Sequence, residues 1–77
     1  MLEIKQNKFY ILIKKGKENK SLIFTEEKPA ITKVKEYLKE GENAKNIQLL
    51  EVEIKEEKFE ITTIPWSYIA MQIVKSD

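Results

Sequence analysis

The chain has no cysteine, no histidine and no arginine, and only two glycines, two prolines and one aspartate in 77 residues. Each absence removes a class of protein. Without cysteine there is no disulfide framework to hold a small domain together. Without cysteine or histidine there is no conventional zinc site. The commonest general acid–base group and the most nucleophilic side chain are also missing. Two glycines, Gly16 and Gly41, leave no GxGxxG or GxxxxGK[ST] loop to cradle a phosphate. Ser21, Ser67 and Ser76 have no conventional base to activate them. The carboxylate pairs Glu26/Glu27, Glu51/Glu53 and Glu56/Glu57 read as solvated charge, because glutamate is seldom buried unless paired. The chain is therefore expected to be non-enzymatic, with no cofactor and no metal. No run approaches the ~20 apolar residues of a membrane span. The start is charged from Glu3 onward, so no secretory leader is expected, and the expected location is cytoplasmic.

What is present is as uneven as what is missing. All 14 basic residues are lysine, 12 of the 13 acidic residues are glutamate, and isoleucine occurs 11 times. Hydrophobic residues make up 42% and charged residues 35%. The length fits one domain, 1–77. A chain of this size buries only about 60–65% of the surface it exposes when unfolded. Its stability must come from dense apolar packing, from ion pairs or from a partner. Lysine and glutamate enrichment favours ion-pair networks that gain relative value at high temperature; AT-rich codon usage gives the same bias.

The elements follow from local patterning. Lys8 to Lys14 is β-branched and aromatic, too short for a helix, and reads as a strand. Lys15-Gly16-Lys17-Glu18-Asn19 has turn chemistry, and Ser21 to Thr25 returns as the second strand of a hairpin. Leu2 and Ile4 could add a short strand before it. Ala30, Ile31, Val34, Tyr37 and Leu38 then share one helical face. Pro29 is expected in the first turn, with Lys28 at the cap position and Gly41 ending the helix. A second hairpin pairs Ile47–Lys55 with Lys58–Ile64. Its Glu56-Glu57 connection lacks the Asn-Gly or Asp-Gly of tight turns, so a longer or less regular turn is expected. Trp66, Ile69, Ala70, Ile73 and Val74 recur at helical spacing after Pro65, which favours a final helix over a strand.

The order ββαββα predicts an α+β fold of two layers, an antiparallel sheet with two helices on one face. Phe9/Ile11/Ile13, Leu22/Phe24, Leu50/Val52/Ile54 and Phe59/Ile61 are the strand positions expected to meet the helices. Tyr10, Leu12, Ile23 and Leu49, with Ile64, would then point away and form an exposed apolar patch, unless the tail covers them. Residues 3–11 and 53–61 match at six of nine positions, which a ββα duplication would explain, although five of the six matches are Lys, Glu or Ile.

Charge is segregated along the chain. Residues 1–20 carry six lysines and two glutamates, net +4, and residues 41–60 three lysines and six glutamates, net −3. The first hairpin thus resembles a basic finger. Lys8, Lys14, Lys15, Lys17 and Lys20 could follow a phosphate backbone by releasing counterions, and Tyr10 could stack on a base. The lysines would serve equally to protect a sheet edge. The lack of arginine removes the commonest bidentate base contact.

In its lysine-, glutamate- and isoleucine-rich composition the whole chain resembles small proteins of hyperthermophilic archaea and their viruses, a group that includes accessory ribosomal proteins. That resemblance carries no site residue. The basic hairpin itself makes the leading expectation an accessory subunit of a ribonucleoprotein that touches RNA backbone through that hairpin. The alternative is a protein–protein module or homodimer using Tyr10, Leu12, Ile23 and Leu49.

Overall fold

The structure is a computed structural model and describes residues 7–16 and 18–75. In chain order the elements are β1 (Lys8–Lys14), β2 (Lys20–Phe24), α1 (Glu27–Lys39), a 3₁₀ turn (Ala44–Asn46), β3 (Ile47–Lys55), β4 (Lys58–Thr63) and α2 (Trp66–Lys75). The four strands form one antiparallel sheet in the order β2-β1-β3-β4. This is the expected ββαββα arrangement, an α+β fold with both helices against one sheet face. The strand suggested around Leu2 and Ile4 lies outside the described residues.

Local chemistry sets the boundaries. α1 begins before its proline, with extended Glu26 as the cap residue and no side-chain cap bond. Lys28 is therefore inside the helix, not at its cap. Pro29 sits at the third helical position, which it tolerates because the first-turn N–H groups have no intrahelical acceptor. Glu27 in that turn complements the positive helix end. The C-terminus closes as a Schellman motif. Gly41, at φ +93°, donates to the Leu38 carbonyl at 3.1 Å, and the Glu42 N–H donates to the Tyr37 carbonyl at 3.0 Å. α2 is anchored by the Pro65 carbonyl, which accepts the N–H groups of Tyr68 and Ile69.

The β3–β4 connection is tighter than its sequence suggests. Lys55 pairs with Lys58, leaving a two-residue turn in which Glu56 takes a left-handed φ of 46°. Strong pairing along β3 and β4 fixes the register and leaves the turn to adapt. That conformation costs a residue with a β-carbon about 1 kcal/mol or more. Glu56→Gly is expected to stabilise the fold by about 0.5–1 kcal/mol net of its greater unfolded-state freedom. A thermal melt should show a midpoint higher by roughly 3–6 °C.

The core lies between the helices and one face of the sheet. Tyr10, Leu12, Ile47, Leu49 and Ile64 meet Ala30, Ile31, Val34 and Tyr37 of α1 and Ile69 of α2. Leu22, Phe24, Leu38, Trp66 and Ile73 pack around them. Trp66 is thus part of the core margin, as its position at the start of α2 suggests.

Here the structure corrects the expected faces. Leu12 stands opposite both Leu22 and Leu49, and Tyr10 opposite both Phe24 and Glu51. These residues share the helix side. Phe9, Ile11 and Ile13 of β1, and Leu50, Val52 and Ile54 of β3, point the other way, as do Phe59 and Ile61 of β4 through their partners Ile54 and Val52. Of the positions expected to meet the helices only Leu22 and Phe24 do, and of those expected to point away only Ile23 does. The cause is β1, whose residues 9–13 are all apolar. Such a strand has no phase of its own, and its partners decide which set faces inward.

The echo between residues 3–11 and 53–61 gains a structural meaning but not a duplication. It superposes β1 on β4, whereas two successive ββα units would superpose β1 on β3. What the matched strands share is that Phe9/Ile11 and Phe59/Ile61 all lie on the face away from the helices.

Candidate functional site

The face opposite the helices is the main unexplained surface. Reading across β2, β1, β3 and β4, one row is Ile23, Ile11, Leu50 and Thr63. The next holds Phe9, Val52 and Ile61, and beyond it lie Ile54 and Phe59. At the other end are Ser21, Ile13 and Gln48. None of these twelve side chains is charged. Ile23, Phe59 and Ile61 are 69%, 67% and 63% exposed. Phe9, Ile11, Ile13, Leu50 and Ile54 are half-buried. Val52 is buried and is not part of the helix-side core. All six residues of β4 are exposed.

The other side of β3 and β4 makes the contrast. Where the helices end, the helix-side face becomes a ladder of charge. The Lys8 ammonium lies 3.3 Å from Glu51, and that of Lys55 lies 3.2 Å from Glu60 and 3.9 Å from Glu53. Hydrogen bonding to Glu51, reinforced by the Glu51 and Glu53 charges, raises the Lys8 pKa. Glu60, then Glu53, does the same for Lys55. These exposed pairs contribute little stability singly. They do mark this face as the one the β3–β4 hairpin gives to water, so its apolar face is the other.

The residues singled out from sequence are scattered by the fold. Tyr10, Leu12 and Leu49, expected on an exposed interface, are 8%, 1% and 0% exposed and form the core. Of that set only Ile23 is on the surface. Tyr10 cannot offer its ring to a base. Burial, followed by the Glu51 and Glu27 charges, raises its hydroxyl pKa. The basic finger is also partly consumed. Lys14, with little exposed side chain, places its ammonium 3.1 Å from Glu42 and 5.1 Å from the centre of the Tyr37 ring. Lys8 pairs with Glu51, and Lys20 is 4.0 Å from Glu18. Lys15 is exposed, and Lys17 lies outside the described residues.

A shallow cleft of about 400 Å³ separates the start of α1 from α2, lined by Glu27, Lys28, Ile31, Thr32, Tyr68, Gln72 and Lys75. Within it the Tyr68 hydroxyl donates a hydrogen bond to the Glu27 carboxylate, tying the two helices together. That bond, helped by desolvation and by the Glu27 charge, pushes the Tyr68 pKa up to about 12. The neutral phenol is the form favoured by the fold. Its contribution is full below the ordinary value of 10.0 and is lost as pH rises through about 12. A tyrosinate absorbance titration should show Tyr68 ionising late, and Glu27→Ala should return it toward the ordinary value.

No helix among the described residues is long and apolar enough to cross a membrane. No protein-family model matches the chain, and no curated protein or solved structure matches it significantly.

Proposed function

We propose that this chain is a small non-enzymatic binding module that holds a protein partner against the open face of its sheet. The observation that carries this reading is a four-stranded face with no charged side chain and three large apolar residues more than half exposed. A two-layer domain normally gives such a face to water with polar residues. Contiguous apolar patches larger than a few hundred Å² mark interaction sites. The charged ladder on the reverse of β3 and β4 shows that the same strands carry polar residues where they meet solvent. Contact with RNA backbone through the first hairpin is supported less well, since it loses Tyr10 to the core and Lys14 to Glu42.

Dye binding tests the availability of the face. The folded chain at low micromolar concentration should enhance anilinonaphthalene sulfonate fluorescence, with near-ultraviolet ellipticity from Trp66 intact. Phe59→Lys combined with Ile61→Lys should abolish most of that enhancement. A folded protein that is monomeric at the concentration used and leaves the dye dark would contradict the reading.

A further inference from the structure

We propose that the occupant of the open face is a second copy of this chain, packed sheet on sheet about a two-fold axis with the strand ends reversed. This rests on the reading of that face as an interaction surface and names its partner. Shape and area favour this occupant. Four strands about 4.8 Å apart make the face roughly 19 Å wide, and its twelve positions, with alternate residues about 6.8 Å apart along each strand, cover about 390 Å² in projection. That is about 780 Å² counted on both copies, and the relief of the side chains brings it to about the size at which specific interfaces begin. A single helix, about 10 Å across, would cover only about half that width. A peptide would need a groove or a free strand edge, and the large apolar residues here stand on the pleated surface. An identical twisted sheet matches the face in width, length and curvature, and sheets pack this way about 10 Å apart with interdigitating side chains.

Charge favours it as well. In an isologous interface each residue meets the same surface patch on its partner, so a charged face would set like charges near one another. This face has none to repel. The charges lie at its two ends. Lys15 and Lys45 line a shallow groove with Ile13, Gln48 and Thr63 at one end. Glu56 and Glu57 line another with Asn7, Ile54, Lys55 and Lys58 at the opposite end. There Lys55 is directed toward Glu53 and Glu60 on the reverse side, and Lys58, its cross-strand partner, lies on that reverse side too. A two-fold axis lying between the sheets and across the strands brings the lysine end of each copy toward the glutamate end of the other. The alternative axis, along the strands, stacks lysines on lysines. The reversed arrangement is the one the ends permit.

Sedimentation equilibrium of the full chain from low micromolar to submillimolar concentration tests this. A species of twice the 9.1 kDa chain mass is expected. Ile61→Lys should raise the dissociation constant at least about 100-fold, the effect of a charge placed in a desolvated interface core. Far-ultraviolet ellipticity should be unchanged, because Ile61 is exposed in the single chain. Glu56→Lys with Glu57→Lys should weaken the dimer about tenfold, and adding Lys15→Glu and Lys45→Glu should restore it. A dimer indifferent to Ile61→Lys would overturn the proposal, and so would one indifferent to the end charges. A monomer at every concentration would overturn it as well. If that monomer still binds the dye, the face serves a different protein and the broader reading survives. If it does not, other residues of the same chain cover the face and both readings fall.

Discussion

Leu49→Ala is expected to lower the thermal midpoint by about 15–25 °C. Leu49 has no exposed surface and stands opposite Leu12 at the centre of the helix-side core. Removing a buried leucine side chain costs about 2–5 kcal/mol, because transfer free energy is lost and the cavity closes only in part. A domain of this size has about 4–12 kcal/mol in total. At the middle of both ranges the variant retains about half its stability, and each kcal/mol moves the midpoint of so small a domain by about 4–8 °C. Differential scanning calorimetry measures this directly. Ile61→Ala, on the uncovered face, should shift the unfolding of the dilute chain by less than a fifth as much. The faces expected from sequence give the reverse order, with Ile61 costly and Leu49 mild, so the pair of variants decides between the two registers.

The second large effect is on concentration dependence. If two copies bury their open faces together, unfolding releases two chains and the midpoint rises with protein concentration by mass action. A tenfold increase adds about 1.4 kcal/mol per dimer, which for 154 residues corresponds to about 3–5 °C. Phe59→Lys with Ile61→Lys should flatten that dependence. It should also leave the dilute melting temperature close to that of the parent, because neither side chain is covered in the single chain. The same variant should stay soluble at concentrations where the parent associates.

Much of the fold was legible because the local signals agree. β1, β3 and the β4 start fall where β-branched and aromatic runs place them. α1 carries its apolar face at helical spacing, is closed by Gly41, and opens on Glu26 at its cap and Glu27 in its first turn. The tail helix was readable from Trp66, Ile69 and Ile73. What the sequence hid is a relation between elements. β4 from Lys58 to Ile61 and β3 from Leu50 to Lys55 alternate cleanly, so each has a clear apolar face there. Which side that face takes depends on their pairing through β1, and β1 is apolar on both sides from Phe9 to Ile13. The usual assumption that an apolar strand face meets the helices then assigns β3 and β4 wrongly.

A signal was nevertheless present. Five consecutive apolar residues in a strand suit a sheet covered on both faces, and two helices can cover only one. Phe59 and Ile61, alternating with Lys58 and Glu60, asked for a cover that the chain's own helices do not supply. The lysine count misled in a similar way. Net charge by segment does not see that Lys14 is committed to Glu42 and the Tyr37 ring, or Lys8 to Glu51, since those partners lie far along the chain.

On the proposed reading, the apolar face of the sheet away from the helices is where two copies of this chain meet. Carbene footprinting with residue-level mass spectrometry tests it most directly. Val74, 74% exposed on α2, serves as the internal reference. Labelling of Ile23, Phe59 and Ile61 should match that of Val74 in dilute protein. It should fall severalfold at submillimolar concentration, while Val74 stays constant. Equal labelling of all four residues at every concentration would contradict the occupation of that face.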